Sequence, residues 1–145
     1  MKQHLLLIDD DKDELTIFMD ALREVPHEDG FKCTYASSTM QAIEMLKFLV
    51  PDFIFVDFNI PKMNGLEFIT FVTGQPHLKK TKLCLYSMNI NEEVDKQAKN
   101  LGASCIKKSG TIESLASNLS ALLVTNNSLV RDFRPGNNTD WRRKD

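Results

Sequence analysis

Long apolar runs are missing from this 145-residue chain, and none approaches the roughly 18 residues needed to cross a bilayer. The first ten residues, MKQHLLLIDD, also lack the apolar core and cleavage site of a signal peptide. Cysteine is scarce and odd in number: Cys33, Cys84 and Cys105, each within an apolar, strand-like segment. That argues against a disulfide or metal set and for reduced core residues in a cytoplasmic protein. Triplets such as Asn118-Leu119-Ser120 are then chance matches to a glycosylation signal. Neither sign of charge is in excess, since 18 Lys and Arg against 20 Asp and Glu leave a formal net charge of -2. A nucleic-acid footprint requires a clear basic surplus, so neither nucleic acid nor membrane is expected as a partner. There is no internal repeat. What remains, 42% hydrophobic and 26% charged residues, is ordinary for one globular domain with a real core.

The most informative stretch is PDFIFVDFNIPKMNG, Pro51 to Gly65. The apolar residues Phe53 to Val56 end on Asp57, and turn chemistry follows at Asn59, Pro61, Asn64 and Gly65. A short apolar run bounded by turn signals reads as a strand buried on both faces. Asp57 then stands at its carboxyl end, where an open α/β sheet keeps its ligand crevice.

The other segments fit around it. His4 to Ile8 reads as a strand running into Asp9, Asp10 and Asp11. From Lys12 the period turns helical, with Leu15, Phe18, Met19 and Leu22 on one face, until Pro26 and Gly30. Lys32 to Ala36 alternates as an edge strand. Ser37 or Ser38 caps a helix with Ala42, Ile43, Leu46 and Leu49 inward, broken by Pro51. Asn64 caps a helix burying Leu66, Ile69 and Val72, which Gly74 and Pro76 end. Leu83 to Tyr86 is a strand terminating at Ser87, and Asn89 or Asn91 caps a polar helix stopped by Gly102. Ala103 to Ile106 leads to Lys107 and Lys108, and Ile112 to Val124 forms the last helix. Strands alternating with helices imply a doubly wound, five-stranded parallel sheet, because parallel neighbours need crossovers.

Residues 125–145 lose this periodicity and read as a flexible tail, five Lys or Arg against three Asp. Phe133 and Trp141 are its aromatic residues. The histidines His4, His27 and His77 lie outside the polar cluster and are expected to face solvent.

In a sheet of order 2-1-3-4-5, strands 1 and 3 are neighbours, so Asp9 and Asp10 would face Asp57. Carboxylates packed that closely either take up protons or hold a cation. An oxygen-only, partly solvated cluster suits Mg²⁺, which takes one or two carboxylates and keeps several waters. Strands 4 and 5 bring Ser87 and a lysine to the same edge. An acidic pair, a lone aspartate, a hydroxyl and an ammonium can hold a phosphoryl group on a carboxylate.

These residues, in this order, resemble the receiver domain of the two-component response-regulator family, chemotaxis-type and single-domain, over about residues 3–124. Ile8-Asp9-Asp10 matches the family's acidic pair, and Asp57 its phosphoacceptor ahead of a proline-to-glycine loop. Ser87 stands at its hydroxyl position and Lys108 at its lysine. The resemblance implies the flavodoxin-like receiver fold, Mg²⁺ bound by Asp10, Asp57 and the Asn59 backbone carbonyl, and Asp9 acting through water. It implies a phosphoryl group taken from a sensor histidine kinase or a histidine phosphotransfer protein, then passed on as a signal by protein-protein contact. It also implies a monomer or weak dimer, a signalling phosphoacceptor and not an enzyme. Two departures stand out: Ser109 replaces the usual proline after the lysine, and the segment before it is one residue short, leaving Lys107 as an alternative to Lys108. In this register the family's aromatic switch position is Cys105, and its lifetime-tuning positions are Asn59 and Asn89.

Residues 1–124 are thus expected to form the receiver domain, with no output domain after them. Two alternatives stand beside this reading. One is a degenerate receiver that binds proteins without phosphorylation. The other is a haloacid-dehalogenase-type phosphatase using Asp9-x-Asp11, against which Asp13 stands where that family has Thr or Val. A calcium loop at Asp9-x-Asp11-x-Asp13 fails because Glu14 occupies the position that requires glycine.

Overall fold

The computed structural model describes residues 2–108 and 110–129. Along the chain run β1 (Gln3–Ile8), α1 (Asp13–Leu22), β2 (Phe31–Ala36), α2 (Thr39–Met45), β3 (Phe53–Val56) and α3 (Gly65–Thr73). A 3₁₀ turn at Pro76–Leu78 precedes β4 (Lys82–Ser87), α4 (Glu92–Asn100), β5 (Ser104–Lys107) and α5 (Ile112–Leu129). All strand pairs are parallel, in the order β2-β1-β3-β4-β5. This is the doubly wound arrangement expected from the alternation of periods, with β2 on an edge as read.

The apolar runs explain the two-sided core. Leu5 and Leu7 of β1 and Phe53 and Phe55 of β3 join one cluster with Phe18, Leu115, Leu119 and Leu123 of α1 and α5. Leu6, Ile8, Ile54 and Val56 point the other way, into a cluster with Ala42, Phe68, Ile69, Val72 and Val94 of α2, α3 and α4. Each fully buried Leu, Ile or Phe contributes about 1.5–3 kcal/mol, so both faces hold the strand ends rigidly in place.

Register then sets up the crevice. Ile8 pairs with Val56, and the Asp57 amide donates to the Ile8 carbonyl at 3.1 Å, so Asp9 and Asp57 leave the sheet side by side. Ser87 pairs with Lys107, and the Lys108 amide donates to the Ser87 carbonyl at 3.0 Å.

The caps fall where asparagine and serine allow. Ser38 accepts from the Gln41 amide, Asn91 from the Val94 amide, and Asn64 forms a reciprocal capping box with Glu67.

Three readings need correction. α2 ends at Met45 and does not carry Leu49; the His77 ring nitrogen lies 3.0 Å from the Leu46 carbonyl oxygen, occupying an acceptor that another turn would have used. α5 continues to Leu129, five residues past Val124, because no glycine or proline interrupts TNNSL. Nor do His4 and His27 simply face water: both are half-buried, His4 against the Thr34 hydroxyl and His27 against the Phe31 ring. Of the three free cysteines, Cys84 is fully buried and Cys33 and Cys105 are half-buried. Ser109, Phe133, Trp141 and the rest of the expected tail from 130 onward lie outside the described residues.

Candidate functional site

The polar residues at the carboxyl ends of β1, β3 and β4 meet the lysine that follows β5. Lys108 Nζ lies 2.7 Å from Asp9 Oδ2 and 2.7 Å from Asp57 Oδ2, bridging the two carboxylates. It is Lys108 that reaches them, while Lys107 is exposed. The other oxygen of Asp57, Oδ1, accepts from the Ser87 hydroxyl at 2.7 Å and from the Asn59 amide at 2.9 Å. The other oxygen of Asp9 accepts from the Asp11 amide at 3.0 Å. Asp9 and Ser87 are almost fully buried, whereas Asp57 keeps 8% of its surface open. Asp10 is exposed beside them.

These contacts decide the charge states. Burial pushes the Asp57 carboxyl up, but hydrogen bonds from Lys108, the Asn59 amide and Ser87 outweigh it and hold the group below the usual carboxylate range. Burial also pushes Asp9 up; there it prevails over the Lys108 and Asp11 hydrogen bonds, with the Asp57 charge adding to it, and the carboxyl reaches about 6. For Lys108, burial works against the charge, yet hydrogen bonds to Asp57 and Asp9 raise it above the ordinary lysine range. Asp57 is therefore held ionised next to a fixed ammonium.

The site carries more negative charge than Lys108 offsets. Among the described residues no three His, Cys, Asp or Glu side chains are gathered closely enough to cage a metal. The oxygen donors nonetheless fit a hard divalent cation, which takes one or two carboxylates and keeps its waters. Asp57, exposed Asp10 and the carbonyl of exposed Asn59 are the groups able to supply it.

The loop after β3 is built tightly. Lys62 adopts a positive φ of 75°, and a side chain at Gly65 would lie 2.6 Å from the Asp57 carbonyl oxygen and 2.8 Å from Leu85. Thr39, fully buried at the start of α2, donates to the Met63 carbonyl at 3.1 Å. Neither Thr39 nor the Tyr35 hydroxyl, which donates to the Asp9 carbonyl, is singled out by the sequence, because both bond to backbone and follow no motif. The Asp11 carboxylate does not join the site: it is exposed and accepts from the Asp13 amide, starting α1. Cys105 sits half-buried on β5, its thiol pushed up to about 12 by burial and by Asp95. No described helix is long and apolar enough to cross a membrane.

Comparison with known proteins agrees with this fold. A probable chemotaxis protein CheY of Rhizobium etli is 28% identical over 123 residues, 83% of this chain and 92% of the relative. The phosphorylated cyanobacterial phytochrome response regulator RcpA superposes with a TM-score of 0.74 at 23% identity, covering 84% of this chain and 91% of that one. The Mn²⁺-bound response regulator Rcp1 does so with a TM-score of 0.70 at 20% identity, covering 83% and 91%. The family model for the response regulator receiver domain matches residues 5–120, and the chain belongs to that family of two-component signalling modules.

Proposed function

We propose that this receiver accepts a phosphoryl group on Asp57 from a phosphohistidine of a sensor kinase or histidine phosphotransfer protein, in the cytoplasm and with Mg²⁺. The observation that carries the reading is the division of labour at Asp57. One carboxylate oxygen faces Lys108 and the other faces Ser87, both at 2.7 Å, on a group held ionised.

In the transfer, an Asp57 oxygen bonds to phosphorus while the nitrogen-phosphorus bond of the donor breaks. The imidazole leaves with the electron pair and ends protonated, and the product is an acyl phosphate. Lys108 offsets the charge on the phosphoryl oxygens. Ser87 exchanges its hydrogen bond to Asp57 Oδ1 for one to a phosphoryl oxygen. Asp10, Asp57 and the Asn59 carbonyl would hold Mg²⁺, with Asp9 reaching it through water; when bound, the ion neutralises charge on the transferring group. The Mn²⁺ described for Rcp1 and the phosphorylated state described for RcpA support both assignments.

Loss of the Ser87–Asp57 bond then biases the face formed by β4, α4 and β5, and the output is contact with a downstream protein. With Cys105 at the aromatic position, this face reports activation without an aromatic rotamer. Residues 1–124 act as the phosphorylated unit, as a monomer or weak dimer.

The test is intact mass after incubation with Mg²⁺ and acetyl phosphate. Wild type should gain one phosphoryl group, and Asp57→Asn or EDTA-treated protein should gain none. A gain that survives Asp57→Asn would refute the assignment.

A further inference from the structure

Lys108 is held by more than the two carboxylates it bridges. Its stem runs from the end of the edge strand β5 past β4 and β3 to Asp9, with the side chain only 10% exposed. Below the ammonium lies the ring of Tyr86, its centroid 5.1 Å from Nζ. Tyr86 is 2% exposed, and its ring packs on buried Phe18 at 5.9 Å. A buried phenol needs a partner, and the Tyr86 hydroxyl donates to Glu14 Oε1 at 3.1 Å. The second oxygen of the same carboxylate, Glu14 Oε2, lies 3.8 Å from Lys108 Nζ. Glu14 is itself mostly covered, its side chain 16% exposed. A carboxylate so placed is costly unless paired.

We propose that Glu14 and Tyr86 are a positioning pair for Lys108, the phenol ring serving as the floor of the ammonium site and Glu14 locking that ring while supplying a standing counter-charge. An ammonium has three hydrogens, and Asp9 and Asp57 take two of them. Lysine stems lose rotamer entropy when fixed, so a site of this kind needs several walls. The aromatic face attracts the cation, and Glu14 neither accepts the phosphoryl group nor belongs to the acidic pair. When the oxygens of Asp57 and Asp9 are drawn to other partners during transfer, Glu14 and the ring remain. The pair therefore keeps Lys108 aimed at Asp57 through the reaction. This inference rests on the reading of Asp57 as acceptor.

The experiment follows the Lys108 side-chain ammonium signal by ¹⁵N-¹H NMR in metal-free protein, alongside the acetyl phosphate reaction with Mg²⁺. Wild type should show a slowly exchanging signal displaced by the Tyr86 ring. Glu14→Ala should lose that displacement and phosphorylate about tenfold more slowly, the scale expected for a misaligned group. Glu14→Gln retains an oxygen for the Tyr86 hydroxyl and should restore the ring displacement, which a general loss of folding would not allow. An unchanged signal in both Glu14→Ala and Tyr86→Phe overturns the proposal, as does a moved signal with an unchanged rate. A wild type that takes no phosphoryl group overturns the Asp57 reading instead, and the signal alone still decides whether the pair seats the lysine.

Discussion

The Ser87 hydroxyl donates to Asp57 Oδ1 at 2.7 Å across the β3–β4 pair, with Ser87 fully buried. The group expected to stabilise a phosphorylated aspartate is thus already spent on the free one. On the proposed mechanism, phosphorylation would exchange this bond for another and so couple the chemistry at β3 to the end of β4.

Removing that bond should be visible without any phosphodonor. Ser87→Ala should raise the Asp57 carboxyl toward its unfolded value, since the hydroxyl is one of the groups holding it down. A depressed carboxyl contributes stability above its unfolded range, lost as pH falls through the folded value. The variant should therefore be about 1–2 kcal/mol less stable at neutral pH, and match wild type in strong acid. Denaturant titrations at several pH values, with the Asp57 carboxyl carbon followed by NMR, check both statements.

Asp9 should behave oppositely. Its carboxyl is raised from 3.8 to about 6, so the folded state binds more protons than the unfolded state between those values. Stability contributed by protonated Asp9 is present at low pH and lost as pH rises through about 6. At about 1.4 kcal/mol per pH unit, this amounts to roughly 3 kcal/mol. In metal-free protein, Asp9→Asn should therefore gain on wild type as pH climbs from 4 to 7. A stability difference that stays flat over that range would contradict the account.

Gly65 tests the loop. Its Cβ position falls 2.6 Å from the Asp57 carbonyl oxygen, a backbone atom that cannot swing away, so Gly65→Ala must push the β3–α3 loop off its seat. A loss of about 1–3 kcal/mol is expected in thermal unfolding, together with slower phosphorylation, because the Asn59 amide that orients Asp57 belongs to the same loop.

Most of this architecture was legible because it is written in periodicity. Phe53 to Val56 ends at Asp57, Leu83 to Tyr86 at Ser87, and His4 to Ile8 at Asp9; parallel topology brings those ends together. The resemblance to receivers assigned the cluster, and side-chain reach chose Lys108 over Lys107. Where the reading missed the end of α2 and the roles of Glu14 and Tyr86, tertiary contacts decided. The end of α2 depends on His77, 31 residues away from the carbonyl it approaches. Glu14 entered the sequence reading only as the residue that spoils a calcium loop, and Tyr86 only as the last residue of a strand. Their partnership spans 72 positions and obeys no local pattern.

The central claim, that Asp57 is the residue which takes the phosphoryl group, is tested most directly by locating the group chemically. Phosphorylated wild type would be reduced with borohydride, which converts an aspartyl phosphate to homoserine, then digested and sequenced by mass spectrometry. The account predicts homoserine at position 57, absent when Mg²⁺ is withheld. Homoserine at position 9 or 10, or phosphate on Ser87, would contradict it.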